Sequence, residues 1–211
     1  MNMLELRQVS VRTTGGHLLF PPLTLSVSPG AITTVMGPSG VGKSTLIDFI
    51  GGHLSADFEA EGRVVLNGRD VTRLPAEARQ IGILFQDALL FPHLSVGDNL
   101  AFGLAAHVRG RAARRAAVDR ALDQVGLAGF SDRDPATLSG GQRARVALMR
   151  TLLAEPLALL LDEPFARLDP ERRSDLRAFV FAHVRTRGVP VLMVSHDPED
   201  ARAAGGPVVT L

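Results

Sequence analysis

The chain has 211 residues, 45% of them hydrophobic and 21% charged, with a formal net charge of +1; that length buries roughly 70% of the unfolded surface and describes one soluble globular domain, or one domain with an insertion. The near-neutral balance gives no reason to expect a nucleic-acid partner, and the lack of cysteine excludes disulfides and thiolate metal sites. No apolar run approaches the ~18 residues of a membrane span, and MNMLELRQVS lacks a signal peptide's apolar stretch, so a cytosolic location is expected.

MLELRQVSVR reads as a first strand and LTLSVSPG as a second, ending at Pro29-Gly30. AITTVM is a third, mostly apolar run, leading into a Gly-rich stretch and then KSTLIDFIGGHL, where Leu46, Ile47, Phe49 and Ile50 have helical spacing. RVVLNGRDV carries an Asn67-Gly68 hairpin signal, and IGILFQ has a buried-strand pattern. From about Ala88 to about Thr137 the pattern is helical and includes RRAAVDRALDQVGL. LALLLDEP and VPVLMVSH are apolar runs suited to strands buried on both faces, and PVVTL reads as a last strand. Strands alternating with helices predict a mostly parallel α/β sheet with a helical insertion. The dense charges Arg109, Arg111, Arg114, Arg115 and Arg120 read as a solvated helix face.

Lys43 is the one lysine among 23 basic residues. It lies in GPSGVGKST, and Gly37-x-x-x-x-Gly42-Lys43-Ser44 between a strand and a helix is a P-loop. Glycines let the backbone turn its N–H groups inward on phosphate oxygens, and the helix presents its positive end to the same anion. Lys43 supplies a compact ammonium for the β and γ phosphates where a planar guanidinium does not fit. Ser44 offers its hydroxyl to Mg²⁺.

Further segments narrow the class. LSGGQ spans Leu138 to Gln142, LALLLDEP spans Leu157 to Pro164, Gln86 follows IGILF, ARLDP contains Asp169, and His196 stands in VSHDPEDA. In that order the chain resembles, over nearly its whole length, the ATP-binding subunits of ABC transporters. These segments match the family's signature motif, Walker B strand, Q-loop, D-loop and switch histidine. The resemblance implies an α/β P-loop NTPase core of the ABC ATPase type, with an N-terminal antiparallel β region and an inserted helical subdomain. It implies a single domain, 1–211, with a core lobe at about 1–87 and 146–211 and a helical subdomain at about 88–145. ATP and Mg²⁺ are the implied cofactors. Gly37, Pro38, Ser39, Gly40, Val41, Gly42, Lys43, Ser44 and Thr45 are assigned to the nucleotide, and Ser44, Gln86 and Asp162 to the metal. Glu163 polarises the attacking water, with His196, Gln86 and Lys43 completing the catalytic set. Asp162 and Glu163 end a buried strand, where apolar surroundings raise carboxylate basicity.

Ser139, Gly140 and Gly141 read as a second helix start with free N–H groups. One nucleotide cannot easily use both helix ends from one lobe. The resemblance resolves this with a head-to-tail homodimer, or paired cassettes, in which Ser139, Gly140, Gly141, Gln142 and Asp169 face the partner's ATP. It also implies membrane permease subunits, a solute-binding protein, and a peripheral position on the inner face of the cell membrane. RQIGILFQDALLFPHLSVGDNLAFGL resembles importers of thiamine, polyamines, ferric iron or sulfate. Leu89, Leu90, Phe91 and Leu94 would line a groove for the permease or pack as core.

The sequence departs from the family in three places. The aromatic that stacks on adenine is expected near Thr13, but the chain has no Tyr or Trp, and Phe20 is the nearest ring. Arg167 replaces the usual D-loop Ala. The chain ends soon after PVVTL, so no C-terminal regulatory domain is expected. The competing classes are a soluble ABC-type ATPase not coupled to transport, which calls for coiled coils, zinc sites or a basic tail; a P-loop kinase or GTPase, which should lack LSGGQ; and a nucleotide binder without turnover, against which Lys43, Glu163 and His196 argue.

Overall fold

The computed structural model describes residues 3–166 and 170–211, with backbone only at 170–172; Arg167 and Asp169 lie outside the described residues. In chain order, β1 (Leu4–Thr13), β2 (Leu18–Val27) and β3 (Ile32–Met36) lead to α1 (Lys43–Gly51), β4 (Phe58–Leu66), β5 (Arg69–Asp70), α2 (Ala76–Arg79) and β6 (Ile81–Leu84). Then come α3 (Val96–Phe102), α4 (Arg111–Gln124), a 3-10 turn (Pro135–Thr137) and α5 (Gly140–Leu153). The rest is β7 (Ala158–Asp162), α6 (Pro170–Arg187), β8 (Val191–Val194), α7 (Pro198–Ala204) and β9 (Val208–Thr210).

Two sheets result: an antiparallel one in the order β2-β1-β4-β5 and one in the order β6-β7-β8-β3-β9. In the second, β3 runs parallel to both β8 and β9, and β7 parallel to β8. The apolar runs account for this: every residue of β8 and all of β7 except Asp162 is buried, as strands covered on both faces require. The Asn67-Gly68 signal makes the turn between β4 and β5, both residues having positive φ, as a type I′ hairpin demands.

The second strand starts earlier than LTLSVSPG suggests. β2 begins at Leu18 and runs through Pro21 and Pro22, because it is an edge strand, where a residue without an N–H leaves no ladder bond unmade. Phe20 pairs with Val11 across the sheet and is 2% exposed. It is therefore core, not a ring free to reach a ligand.

The contacts divide the chain into two compact units, residues 1–83, 157–163 and 180–211, and residues 84–156 and 164–179. The first has one core, in which Leu46, Ile47 and Ile50 of α1 meet Leu4 and Leu6 of β1, Leu160 of β7 and Leu192 of β8. Burial explains why α1 forms. It has nine residues and no side-chain cap at its N-terminus, too short to hold alone in water. A missing cap costs about 1 kcal/mol, whereas each buried Leu, Ile or Phe contributes ~1.5–3 kcal/mol. At its other end, the buried Arg79 donates to the carbonyls of Phe49 (2.8 Å) and Ile50 (2.9 Å), a C-terminal cap with charge suited to the helix dipole.

In the second unit, α3 packs against α4 and α5. Arg109, Arg111, Arg115 and Arg120 are exposed as expected. Arg114 instead ties α4 to the end of α3 by donating to the Ala101 carbonyl at 2.6 Å. Among the described residues, no helix is long and apolar enough to cross a membrane.

Candidate active site

The site of the first unit lies at one edge of the parallel sheet, where open α/β sheets bind ligands. Three adjacent strands, in the order β7-β8-β3, end there. β3 runs into the P-loop, β7 ends in Asp162 and Glu163, and β8 leads to Ser195 and His196.

Gly42 shapes the cradle. It is the residue before α1, with φ of 102°, and a Cβ there would lie 3.0 Å from Leu19 Cβ and 3.1 Å from the ring of Phe20. Both its conformation and its contacts require glycine. Lys43 is 6% exposed, and its Nζ donates to the carbonyls of Gly37 (2.8 Å) and Pro38 (2.9 Å). The ammonium is thus folded against the loop's own carbonyls. Ser39 and Gly40 are exposed, and Val41 and Thr45 partly buried. The cavity beside them has a volume of about 260 Å³; Gly40, Lys43, Ser44 and Glu163 line it, and so do Leu19 and Phe58.

Ser44 donates its hydroxyl to Asp162 Oδ1 at 3.2 Å. Burial, aided by the neighbouring Glu163 and Asp48, raises the Asp162 carboxyl above its ordinary 3.8, against the pull of the Ser44 hydrogen bond and Lys43. A carboxyl of that kind holds its proton more tightly in the folded chain than in the unfolded one. The stability this carboxyl contributes is therefore fully present below pH 3.8 and is lost as pH rises through the raised value. Asp162→Asn keeps an acceptor for Ser44 and removes the charge. It is expected to raise the melting temperature of the nucleotide-free protein at neutral pH, with the gain shrinking as pH falls toward 3.8. Equal melting temperatures at neutral pH would show that the buried charge carries no penalty.

Glu163 and His196 meet: His196 Nδ1 is 2.9 Å from Glu163 Oε2. An ionised carboxylate only accepts, so Nδ1 carries the proton. Glu163 sits at φ 44°, a left-handed conformation that costs a non-glycine residue energy and concentrates at functional sites. The chain on either side of His196 is fixed by groups the sequence did not flag. Ser195 and Asp200 are 2% and 3% exposed and share a 2.8 Å hydrogen bond. Ser195 Oγ also accepts the Asp197 N–H at 3.1 Å, and Asp197 caps α7.

In the second unit, Gln86 is exposed two residues past β6. It lines a cavity of about 450 Å³ with Leu89, Gly140, Arg143 and Pro164. Ser139 and Gln142 form a capping box on α5: the Gln142 side chain accepts the Ser139 N–H at 2.9 Å, and Ser139 Oγ accepts the Gln142 N–H at 3.3 Å. The Ser-x-x-Gln spacing of LSGGQ carries that signal. It leaves the helix start open at the exposed Gly140, with Gly141 buried behind it. Of the four apolar groove candidates, Leu89 is 63% exposed, while Leu90, Phe91 and Leu94 are partly buried. Their loop is organised by Asn99, fully buried, which accepts the Phe91 N–H (2.8 Å) and donates to the carbonyls of Phe91, Leu94 and Ser95.

The fold and the phosphate cradle together define a P-loop nucleotide-binding protein. A family model described as ABC transporter matches residues 20–166. The uncharacterized ABC transporter ATP-binding protein YnjD of Escherichia coli is 52% identical over 201 residues, covering 95% of this chain and 92% of that protein. The thiamine import ATP-binding protein ThiQ of Cereibacter sphaeroides is 48% identical over 173 residues (82% and 74%). The Fe(3+) ions import ATP-binding protein FbpC of Agrobacterium fabrum is 38% identical over 200 residues, 95% of this chain and 56% of that one. The chain belongs to the ABC transporter family, as an ATP-binding subunit that hydrolyses ATP to power transport.

Proposed function

We propose that this ATPase drives import of a small solute through membrane permease subunits, closing on ATP as a head-to-tail dimer and working with a solute-binding protein. The observation that carries the reading is the convergence of Lys43, Ser44, Asp162, Glu163 and the Glu163–His196 pair at one sheet edge. The named cargoes of the relatives, thiamine and ferric ions, support the import direction.

In this reading the residues from Gly37 to Thr45 bind the phosphates through backbone N–H groups, and Lys43 turns from its two carbonyls to the β and γ oxygens. Glu163 accepts the proton of the attacking water, and His196 orients that carboxylate and faces the γ-phosphate. Ser44 and Asp162 would hold Mg²⁺. The donor set fits: Mg²⁺ takes a few protein oxygens and keeps phosphate oxygens and water, and the Ser44 hydroxyl and the Asp162 carboxyl already lie 3.2 Å apart. When bound, Mg²⁺ neutralises charge on the transferring phosphoryl oxygens. The partner subunit supplies the Ser139–Gln142 helix start and the D-loop with Asp169. The lobe of residues 1–83, 157–163 and 180–211 is the catalytic core, and the other unit is the helical subdomain. Exposed Leu89 and Phe102 and the partly buried Phe91 form the docking face for the permease, which places the chain peripherally on the cytoplasmic face of the membrane.

The test is assembly. With hydrolysis blocked by Glu163→Gln, ATP is expected to convert monomer to dimer in light scattering. Ser139→Arg in the same background is expected to abolish the dimer by filling the helix start. Ser139→Ala, which loses only the cap at a cost of about 1 kcal/mol, separates instability from lost assembly. Normal hydrolysis by Ser139→Arg would remove Ser139 from a partner's nucleotide.

A further inference from the structure

The cavity beside the P-loop has a lining of two chemical kinds: Gly40, Gly42, Lys43 and Ser44 of the phosphate cradle, and the apolar Leu19 and Phe58. ATP calls for both kinds: it has a polyanion at one end and a flat aromatic base at the other. An aromatic ring next to a phosphate cradle offers the base a face to stack on. We propose that Phe58, with Leu19 beside it, is the surface on which the nucleobase of ATP stacks, an inference that rests on the ATP-binding reading of this site.

The local structure holds the ring in place. Phe58 opens β4 and pairs with Thr13 at the end of β1. Its N–H donates to the Ser55 carbonyl at 3.1 Å, and the neighbouring Thr14 N–H donates to Asp57 at 2.9 Å. Phe58 is partly buried, packed against the core, so its ordering is already met by folding and a ligand gains the stack without a large entropic cost. Leu19 stands next to the cradle, since a Cβ added at Gly42 would lie 3.0 Å from its Cβ. Thr13, where the family resemblance places an aromatic, uses its hydroxyl to accept the His17 N–H at 3.2 Å in the β1–β2 turn. Thr13 and Phe58 are cross-strand partners, so in this chain the ring comes from the adjoining strand.

The same lining sets specificity. The side chains of Leu19 and Phe58 have no groups that hydrogen-bond to a base edge, and every base has a π-face. The apolar lining therefore reads the presence of a base and not its identity, so ATP and GTP bind with similar affinity.

The test uses ATP, GTP and inorganic tripolyphosphate, which has the phosphates and no base, on the intact chain with Mg²⁺. Phe58→Ala is expected to weaken ATP and GTP about tenfold, or ~1.4 kcal/mol, and to leave tripolyphosphate within about twofold. Phe58→Leu keeps apolar packing without the ring and is expected to show the same split. Phe58→Trp retains ATP binding; since the chain has no native Trp or Tyr, the new indole is the sole reporter, expected to respond to ATP and not to tripolyphosphate. Equal losses for ATP and tripolyphosphate in both truncations, or unchanged ATP affinity, or an indole indifferent to ATP, would overturn the stacking role. Wild-type protein that binds neither ligand would instead defeat the ATP-site reading on which it stands.

Discussion

Glu163→Gln is expected to bind ATP with near-native affinity and to turn it over ~10²- to 10⁴-fold more slowly, the usual worth of a positioned general base. The geometry makes this substitution clean. Gln has the size of Glu and can accept the φ of 44° that Glu163 holds. Its amide oxygen can still accept from His196 Nδ1, 2.9 Å away in the native pair, so the histidine stays in place. What is lost is a basic oxygen facing the cavity beside Lys43 and Ser44. Single-turnover hydrolysis and equilibrium ATP binding measured together separate chemistry from binding. Hydrolysis at the native rate would move the base elsewhere. His196→Ala would then carry the large loss, since its imidazole is the next titratable group at that sheet edge.

Much of this site was legible in the sequence because its parts obey local rules. A strand, a Gly-rich turn and an apolar helix predicted the P-loop. Apolar runs ending in Asp162 and in Ser195-His196 placed those residues at strand ends. The partners that fix the geometry were not legible, because side-chain hydrogen bonds of this kind follow no spacing rule, whether the partner is 29 residues away or five. Arg79 caps a helix that ends 28 residues earlier, at Gly51. Asn99 is an unremarkable polar residue until the 89–95 loop folds over it. Ser195–Asp200 is a buried pair whose sequence looks like an exposed turn. Phe20 was the ring the sequence singled out and Phe58 drew no notice, because the strand pairing that sets Phe20 opposite Val11 and Phe58 opposite Thr13 is not written in either ring's own neighbourhood. The two prolines of β2 concealed the strand that buries Phe20.

Lys43→Arg is the sharper test of the cradle, because it keeps the charge and changes only its shape. It is expected to lower ATP affinity by roughly ten- to a hundredfold, since a charge-assisted hydrogen bond is worth ~1.5–3 kcal/mol. In the nucleotide-free chain the ammonium fits between two carbonyls, 2.8 and 2.9 Å away, with 6% of the residue exposed. That is a pocket for a compact donor with three rotatable hydrogens. A guanidinium is planar, longer and fixed in its donor directions. To reach the same carbonyls it would have to push on a loop whose next residue back, Gly42, has little room even for a Cβ beside Leu19 and Phe20. The expected effect falls on ATP and tripolyphosphate alike, because Lys43 contacts the phosphates and not the base. That pattern differs from the one expected for Phe58→Ala, which spares tripolyphosphate, so the two substitutions together assign the two kinds of lining. Melting temperature checks that the arginine variant is folded. Native affinity in a folded Lys43→Arg protein would mean that the lone lysine of a chain otherwise built with arginine has no steric reason to be there.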